Sequence, residues 1–140
     1  MKTNNQVEAI VFRRSSSGDV QFLMLKRNEK KGGFWQPVTG NVKVEETFEE
    51  AAIREVQEEL GITESPRIVD TGYSFDFFDD GRDQHEHVFG IEISPETSIT
   101  LSDEHTEFAW ASEDECLTAY LKYQGNKEGL RRLAAALVPR

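Results

Sequence analysis

Apolar and polar residues alternate along several short stretches of the chain and recur at helical spacing along two longer ones. Val7–Arg13 (VEAIVFR) and Val20–Lys26 (VQFLMLK) read as two strands joined by a hairpin-like turn, Arg14 to Asp19, which holds three serines and Gly18. Arg67–Phe78 carries aromatic residues at every second position, Tyr73, Phe75 and Phe77, and predicts a strand-pair region ahead of the turn Asp79-Asp80-Gly81. Gln84–Ile93 is a further strand. Residues 1–5 are polar and are expected to fray. Leu130, Leu133, Ala134 and Leu137 are spaced as the buried face of a last helix, with Asn126 as its expected cap. Ser112 followed by Glu115 predicts another helix start.

The longest uninterrupted helical pattern is Phe48–Leu60, which contains no glycine or proline. Thr47 with Glu50 three residues on forms a capping box, and Gly61 stands where a left-handed C-terminal cap falls. At roughly 100° per residue, Glu55, Glu58 and Glu59 share one arc about 100° wide. Ala52, Ile53, Val56 and Leu60 fall on another flank, suited to packing on a sheet. Like charges at these spacings repel, so the acidic arc does nothing for the helix itself. In a chain with 26 acids such a face is ordinarily solvated surface. The alternative is a hard divalent cation, because clustered carboxylates without His or Cys suit Mg²⁺, with Mn²⁺ as a substitute.

The wider spacing favours the second reading. Gly40, five residues, Glu46, seven residues, Arg54-Glu55, aliphatic Val56, one residue, Glu58-Glu59, one residue, Gly61 and aliphatic Ile62 fix seven identities. At ordinary usage of about one in fifteen, chance supplies that string on the order of once in 10⁸ starts.

This string resembles the signature box of the Nudix hydrolase family, with no departures. The resemblance implies an α/β fold, an α/β/α sandwich of mixed β-sheet between helices with the box as a loop–helix–loop, spanning residues 1–140 as a single domain. It implies hydrolysis of a nucleoside diphosphate linked to another group, by water attack on phosphorus with a divalent metal. Glu55, Glu58 and Glu59 fall on the family's metal-ligand positions, Gly40 where a backbone carbonyl often joins them, and Arg54 on the arginine that orients the acids. Glu46 is expected to support that network from the preceding loop. Glu86 stands where a further metal ligand or the water-activating base is expected, with Glu59 and Glu104 as the other candidate bases. The resemblance also implies that Glu104-His105 sits in a loop before a strand ending in Trp110.

Trp35-Gln36-Pro37-Val38-Thr39-Gly40 resembles the branch that hydrolyses dihydroneopterin triphosphate or deoxyadenosine triphosphate, and Asn126-Lys127 echoes a pair in the same branch. The expected reaction is therefore release of pyrophosphate and a monophosphate from a nucleoside or pterin triphosphate. Alternatives are a dinucleoside polyphosphate hydrolase and a nucleotide-sensing module without turnover. Lys26 and Arg27, just before the box, are candidates to touch phosphate. Of Phe34 and Trp35, alternation puts one ring inward and one outward, so either can offer a platform for a base. Trp35, Gln36, Asn126 and Lys127 complete the candidate substrate contacts. His85 and His87 flank Glu86, but alternation sends them to the opposite face, which argues against a histidine metal site.

Composition sets the outer bounds. The 140 residues are 37% apolar and 30% charged, ordinary for a soluble globular protein large enough for a real core. A net charge of −10 disfavours nucleic acid and anionic membrane surfaces as partners. No apolar run approaches a membrane span, no signal pattern opens the chain, and one cysteine allows no internal disulfide. The expected location is cytoplasmic and the expected partner a small nucleotide. Many relatives in the family dimerise, so a homodimer stays open, although no apolar surface stripe argues for one.

Overall fold

A computed structural model describes residues 3–138. Seven strands form one mixed sheet: β1 (Asn4–Arg14), β2 (Val20–Arg27), β3 (Trp35–Gln36), β4 (Val38–Asn41), β5 (Arg67–Asp79), β6 (Arg82–Glu92) and β7 (His105–Ala111). The main path runs β3-β2-β1-β6-β5, with β4 paired to β1 and β7 to β2. Only β1 and β6 among the paired strands run parallel, and they form the centre of the sheet. Helix α1 (Phe48–Leu60) covers one face, and α3 (Gln124–Leu137) covers the other. Between β7 and α3, α2 (Glu113–Glu115) runs into a five-residue π turn, Cys116–Tyr120. The expected α/β/α sandwich is the observed architecture.

Alternation on β1 builds both cores. Val7, Ala9 and Val11 join the α1 side with Val56 and Leu60, whereas Ile10 and Phe12 join the α3 side with Leu130 and Leu133. Burying Val56 and Leu60 contributes on the order of 1.5–3 kcal/mol each, far more than helix propensity alone supplies. The ends of α1 are set locally. Thr47 accepts from the Glu50 N–H, Glu50 accepts from the Thr47 N–H, and Gly61 takes φ 63°. The observed bounds are those its sequence predicts.

Four details differ from expectation. Asn4 and Asn5 are not frayed: they pair in parallel with Gln84 and His85, and Asn4 Nδ2 donates to Gln84 and Asn41. Arg67–Asp79 is a single long strand, antiparallel to β6 through a bulge that leaves Thr71 and Gly72 unpaired. Two extra residues preserve the alternation, so Tyr73, Phe75 and Phe77 remain on one face as a ladder of rings 5.8 and 5.7 Å apart. The helix begun at Ser112 has its capping box but leaves α-helical geometry after Glu115. Finally, α3 begins at Gln124 with Tyr123 at its N-cap, so Asn126 lies inside the first turn and is not the cap.

Candidate active site

A cleft of about 1120 Å³ opens between the acidic arc of α1, the ends of β1, β4 and β6, the aromatic ladder of β5 and the start of α3. Glu55, Glu58, Glu59, Gly40, Glu86, Arg27, Gln36 and Asn126 line it. Of the other sequence candidates, Lys26, Trp35 and Lys127 do not line it, and Arg54 and Glu46 stand behind the acids. Lys26 pairs with Glu107 at 3.6 Å. Trp35 packs edge-on to Tyr120 with ring centres 4.9 Å apart, while its neighbour Phe34 faces the cleft, in edge contact with Tyr123. The alternation is the expected one, and the outward ring is Phe34.

Arg54 organises the loop before α1. Its Nε and Nη2 donate to the two oxygens of Glu46 at 2.7 and 3.0 Å, Nη2 also reaches the Asn41 carbonyl at 2.9 Å, and Nη1 donates to Glu55 at 2.6 Å. The Arg54 bond chiefly holds the Glu46 carboxyl low, at about 2, against the opposing effect of burial. Glu55 moves the other way: burial pushes its carboxyl up, which the Arg54 contact offsets only in part. Gly40 explains why a side chain is excluded opposite it, because a Cβ there would lie inside the Glu55 carboxyl group.

Glu59 is 6% exposed. Burial would raise its carboxyl, but His105, Ser102 and neighbouring Glu104 together bring it down to about 2. Ser102 Oγ donates at 2.5 Å and His105 Nδ1 at 3.0 Å. Since an ionised carboxylate only accepts, His105 carries a proton on Nδ1. Glu58 is the most exposed of the three acids and touches Arg54 at 3.4 Å.

Across the cleft, Glu86 is 4% exposed, and burial pushes its carboxyl up to about 7. His85 and His87 do lie on the other face, in contact with Phe48 and bonded to Asp76 and Asp70. Glu104 lines the rim and pairs with Lys31 at 3.0 Å.

Among the described residues, no three acidic, histidine or cysteine side chains already converge on a single ion position. The donor chemistry nevertheless fits a hard dication. Three carboxylates and the Gly40 backbone border one cleft, and half-buried Glu55 keeps a carboxyl pushed up by burial despite its Arg54 contact, which a bound cation would relieve. Ser102 and His105 both bond Glu59 Oε2, so Oε1 is the oxygen Glu59 would offer an ion.

Sequence reasoning missed Ser102, whose lone hydroxyl in a loop carries no signal, and Glu8, described below. Glu8 did leave a trace: it is the one acid on a strand face otherwise continued by Ile10 and Phe12.

Comparison with known proteins places this geometry. A NUDIX domain model matches residues 4–133. A dihydroneopterin triphosphate diphosphatase of Haemophilus influenzae is 32% identical over 94% of this chain and 87% of its own. An octanoyltransferase of Myxococcus xanthus is 29% identical over 84% of this chain, which spans only 33% of that relative's length. In fold, a C. elegans Ap4A hydrolase crystallised as a binary complex superposes with TM-score 0.82 at 21% identity, covering 96% of this chain and 98% of that one.

Proposed function

The chain belongs to the Nudix hydrolase family, and from that premise we propose that it hydrolyses a phosphoanhydride bond of a nucleoside or pterin triphosphate, releasing pyrophosphate and a monophosphate. The observation that carries this reading is the convergence of Glu55, Glu58, Glu59 and Glu86 on one cleft from two unconnected elements. The relative from Haemophilus influenzae, similar along nearly its whole length, supports the triphosphate.

Glu55, Glu58 and Glu59, with the Gly40 carbonyl, would hold Mg²⁺ or Mn²⁺, which when bound neutralises phosphate oxygens and lowers the pKa of water. Arg54 positions Glu55 and, through Glu46 and the Asn41 carbonyl, ties the loop before α1 to the end of β4, which carries Gly40. Glu86 accepts the proton of the attacking water, because burial gives it the basicity that Glu59 lacks. Glu104, tied to Lys31, is the weaker alternative. Arg27 stands on the cleft wall with its guanidinium 5.6 Å from the centre of the Phe34 ring, a cation suited to a phosphate oxygen. Phe34, Tyr123 and Phe75 offer flat apolar surface for a heterocycle.

A screen of nucleoside triphosphates, dihydroneopterin triphosphate, dinucleoside polyphosphates and nucleotide sugars, with and without Mg²⁺, tests the proposal. Metal-dependent pyrophosphate release from a triphosphate is expected. Turnover of dinucleoside polyphosphates alone would replace the substrate class, and nucleotide binding without turnover would make the protein a sensor.

A further inference from the structure

Two buried acids stand at or behind the cleft wall, and the fold treats them in opposite ways. Glu8, on the central strand β1, has no solvent exposure; Asn126 Nδ2 is its one side-chain partner, and Oε2 has none. Burial, with Glu86 nearby, raises its carboxyl well above the ordinary value and so favours the uncharged acid. Glu59 is buried too, yet two donors meet on its Oε2, Ser102 Oγ at 2.5 Å and His105 Nδ1 at 3.0 Å. It also lies in the last turn of α1, where the helix dipole disfavours negative charge. Neither burial nor the helix suits a carboxylate there, and the two donors are what the fold supplies for one.

The loop that brings these donors is fastened independently of them. Thr100 N–H donates to the Leu60 carbonyl at 2.9 Å and Ser102 N–H to the Glu59 carbonyl at 3.2 Å, two of the carbonyls that a helix end leaves open. Gly61 allows this approach, since a Cβ there would stand 3.0 Å from the Thr100 carbonyl oxygen. From the other side, Asn28 N–H and Nδ2 donate to the Glu104 and Asp103 carbonyls, each at 2.9 Å. Ser102 Oγ accepts from the Glu104 N–H at 3.3 Å, which leaves its own proton for Glu59. His105 pairs with Arg27 where β7 meets β2, and its ring is buried with Nε2 unpartnered, so Nδ1 is the ring atom in use.

A carboxylate gripped on one oxygen by groups anchored to its own helix is set in place before any ion arrives. We propose that His105, through Nδ1–H, is a positioning residue for the metal site. With Ser102 it keeps hold of Glu59 Oε2 when an ion binds, so Glu59 serves as a one-oxygen ligand through Oε1. Glu58, the most exposed of the three acids, is then the one left free to move. The inference deepens the triphosphatase reading and rests on its metal site.

Mn²⁺ binding to the full chain without substrate, followed by electron paramagnetic resonance, tests it apart from turnover. His105→Gln, whose amide reaches toward the Nε2 position, should weaken Mn²⁺ binding about 10–100-fold, the range typical of losing a group that orients a metal ligand. His105→Asn returns an N–H donor at the place of Nδ1 and should bind within about threefold of wild type. A ring that only filled space would rank the two the other way, because glutamine is nearer to histidine in bulk. Ser102→Ala should weaken binding as well.

NMR of the labelled imidazole supplies a second readout in the wild type. It should show a proton on Nδ1 that stays hydrogen-bonded when Mg²⁺ is added. Wild-type affinity in His105→Gln, no recovery in His105→Asn, or loss of the Nδ1–H bond on adding Mg²⁺ would each overturn the inference. Should the His105 variants fail to fold, Ser102→Ala and the wild-type NMR decide. Metal-dependent turnover without any Mn²⁺ binding ahead of substrate would also overturn it, because the site is then not set beforehand. Neither metal binding nor turnover of any triphosphate would instead overturn the proposed function, so the two failures are distinct.

Discussion

Arg54 and Glu55 are neighbours in sequence whose side chains nonetheless meet, Nη1 to Oε1 at 2.6 Å. Consecutive residues of a helix point about 100° apart, so the contact requires both side chains to curl toward the loop ahead of α1. There the same guanidinium holds both oxygens of Glu46 and the Asn41 carbonyl. Arg54→Lys keeps the charge and loses the fork. We expect kcat/KM to fall about 10–100-fold, the cost typical of losing a group that orients metal ligands, with little change in Tm. Steady-state kinetics alongside thermal unfolding checks it.

Gly40→Ala places a methyl group inside the space of the Glu55 carboxyl. Glu55 lies at the cleft edge and can swing away, so the variant should fold. Activity should drop at least as far as in Glu55→Gln, and combining the two should add little. Strictly additive losses would mean that Gly40 acts elsewhere.

Glu86→Gln preserves shape and removes the base. A loss of about 10²–10⁴-fold in kcat is expected if this residue takes the proton, and Glu104→Gln should cost less than tenfold. The reverse ranking, read from single-turnover rates, would move the role to Glu104.

Acid stability follows from Glu46. Its folded carboxyl is held at about 2, below the ordinary value of 4.5. A depressed acid contributes stability above its unfolded pKa and loses it as pH falls through the folded one. The Tm difference between wild type and Glu46→Gln should therefore be positive at pH 7 and shrink between about pH 4.5 and 2. A difference that stays constant across that window would show that the Arg54 pair contributes nothing through ionisation.

The parts of this protein legible in its sequence are those fixed by local chemistry. Thr47, Glu50 and Gly61 bound α1 because caps are made within a few residues, and the 3.6-residue period puts Glu55, Glu58 and Glu59 on one arc. The parts that were not legible depend on pairings between distant segments. Asn4 is ordered by Gln84, 80 residues on, and Glu59 is clamped by Ser102 from the loop after β6 and by His105 at the start of β7. Asn126 has the look of a helix cap, and only the docking of α3 on β1 shows that its partner is Glu8. The inward turn of Trp35 likewise depends on Tyr120, in a π turn that periodicity did not foresee.

The acids of α1 now face inward partners, Glu55 toward Arg54 and Glu59 toward His105, and the central claim is that a metal ion draws them together. A crystal structure with Mg²⁺ and a non-hydrolysable nucleoside triphosphate tests this most directly. It should show ions about 2.1 Å from oxygens of Glu55, Glu58 and Glu59, bridging to the phosphate chain. Those carboxylates still turned to Arg54 and His105, with the metal and phosphates bound elsewhere, would contradict it.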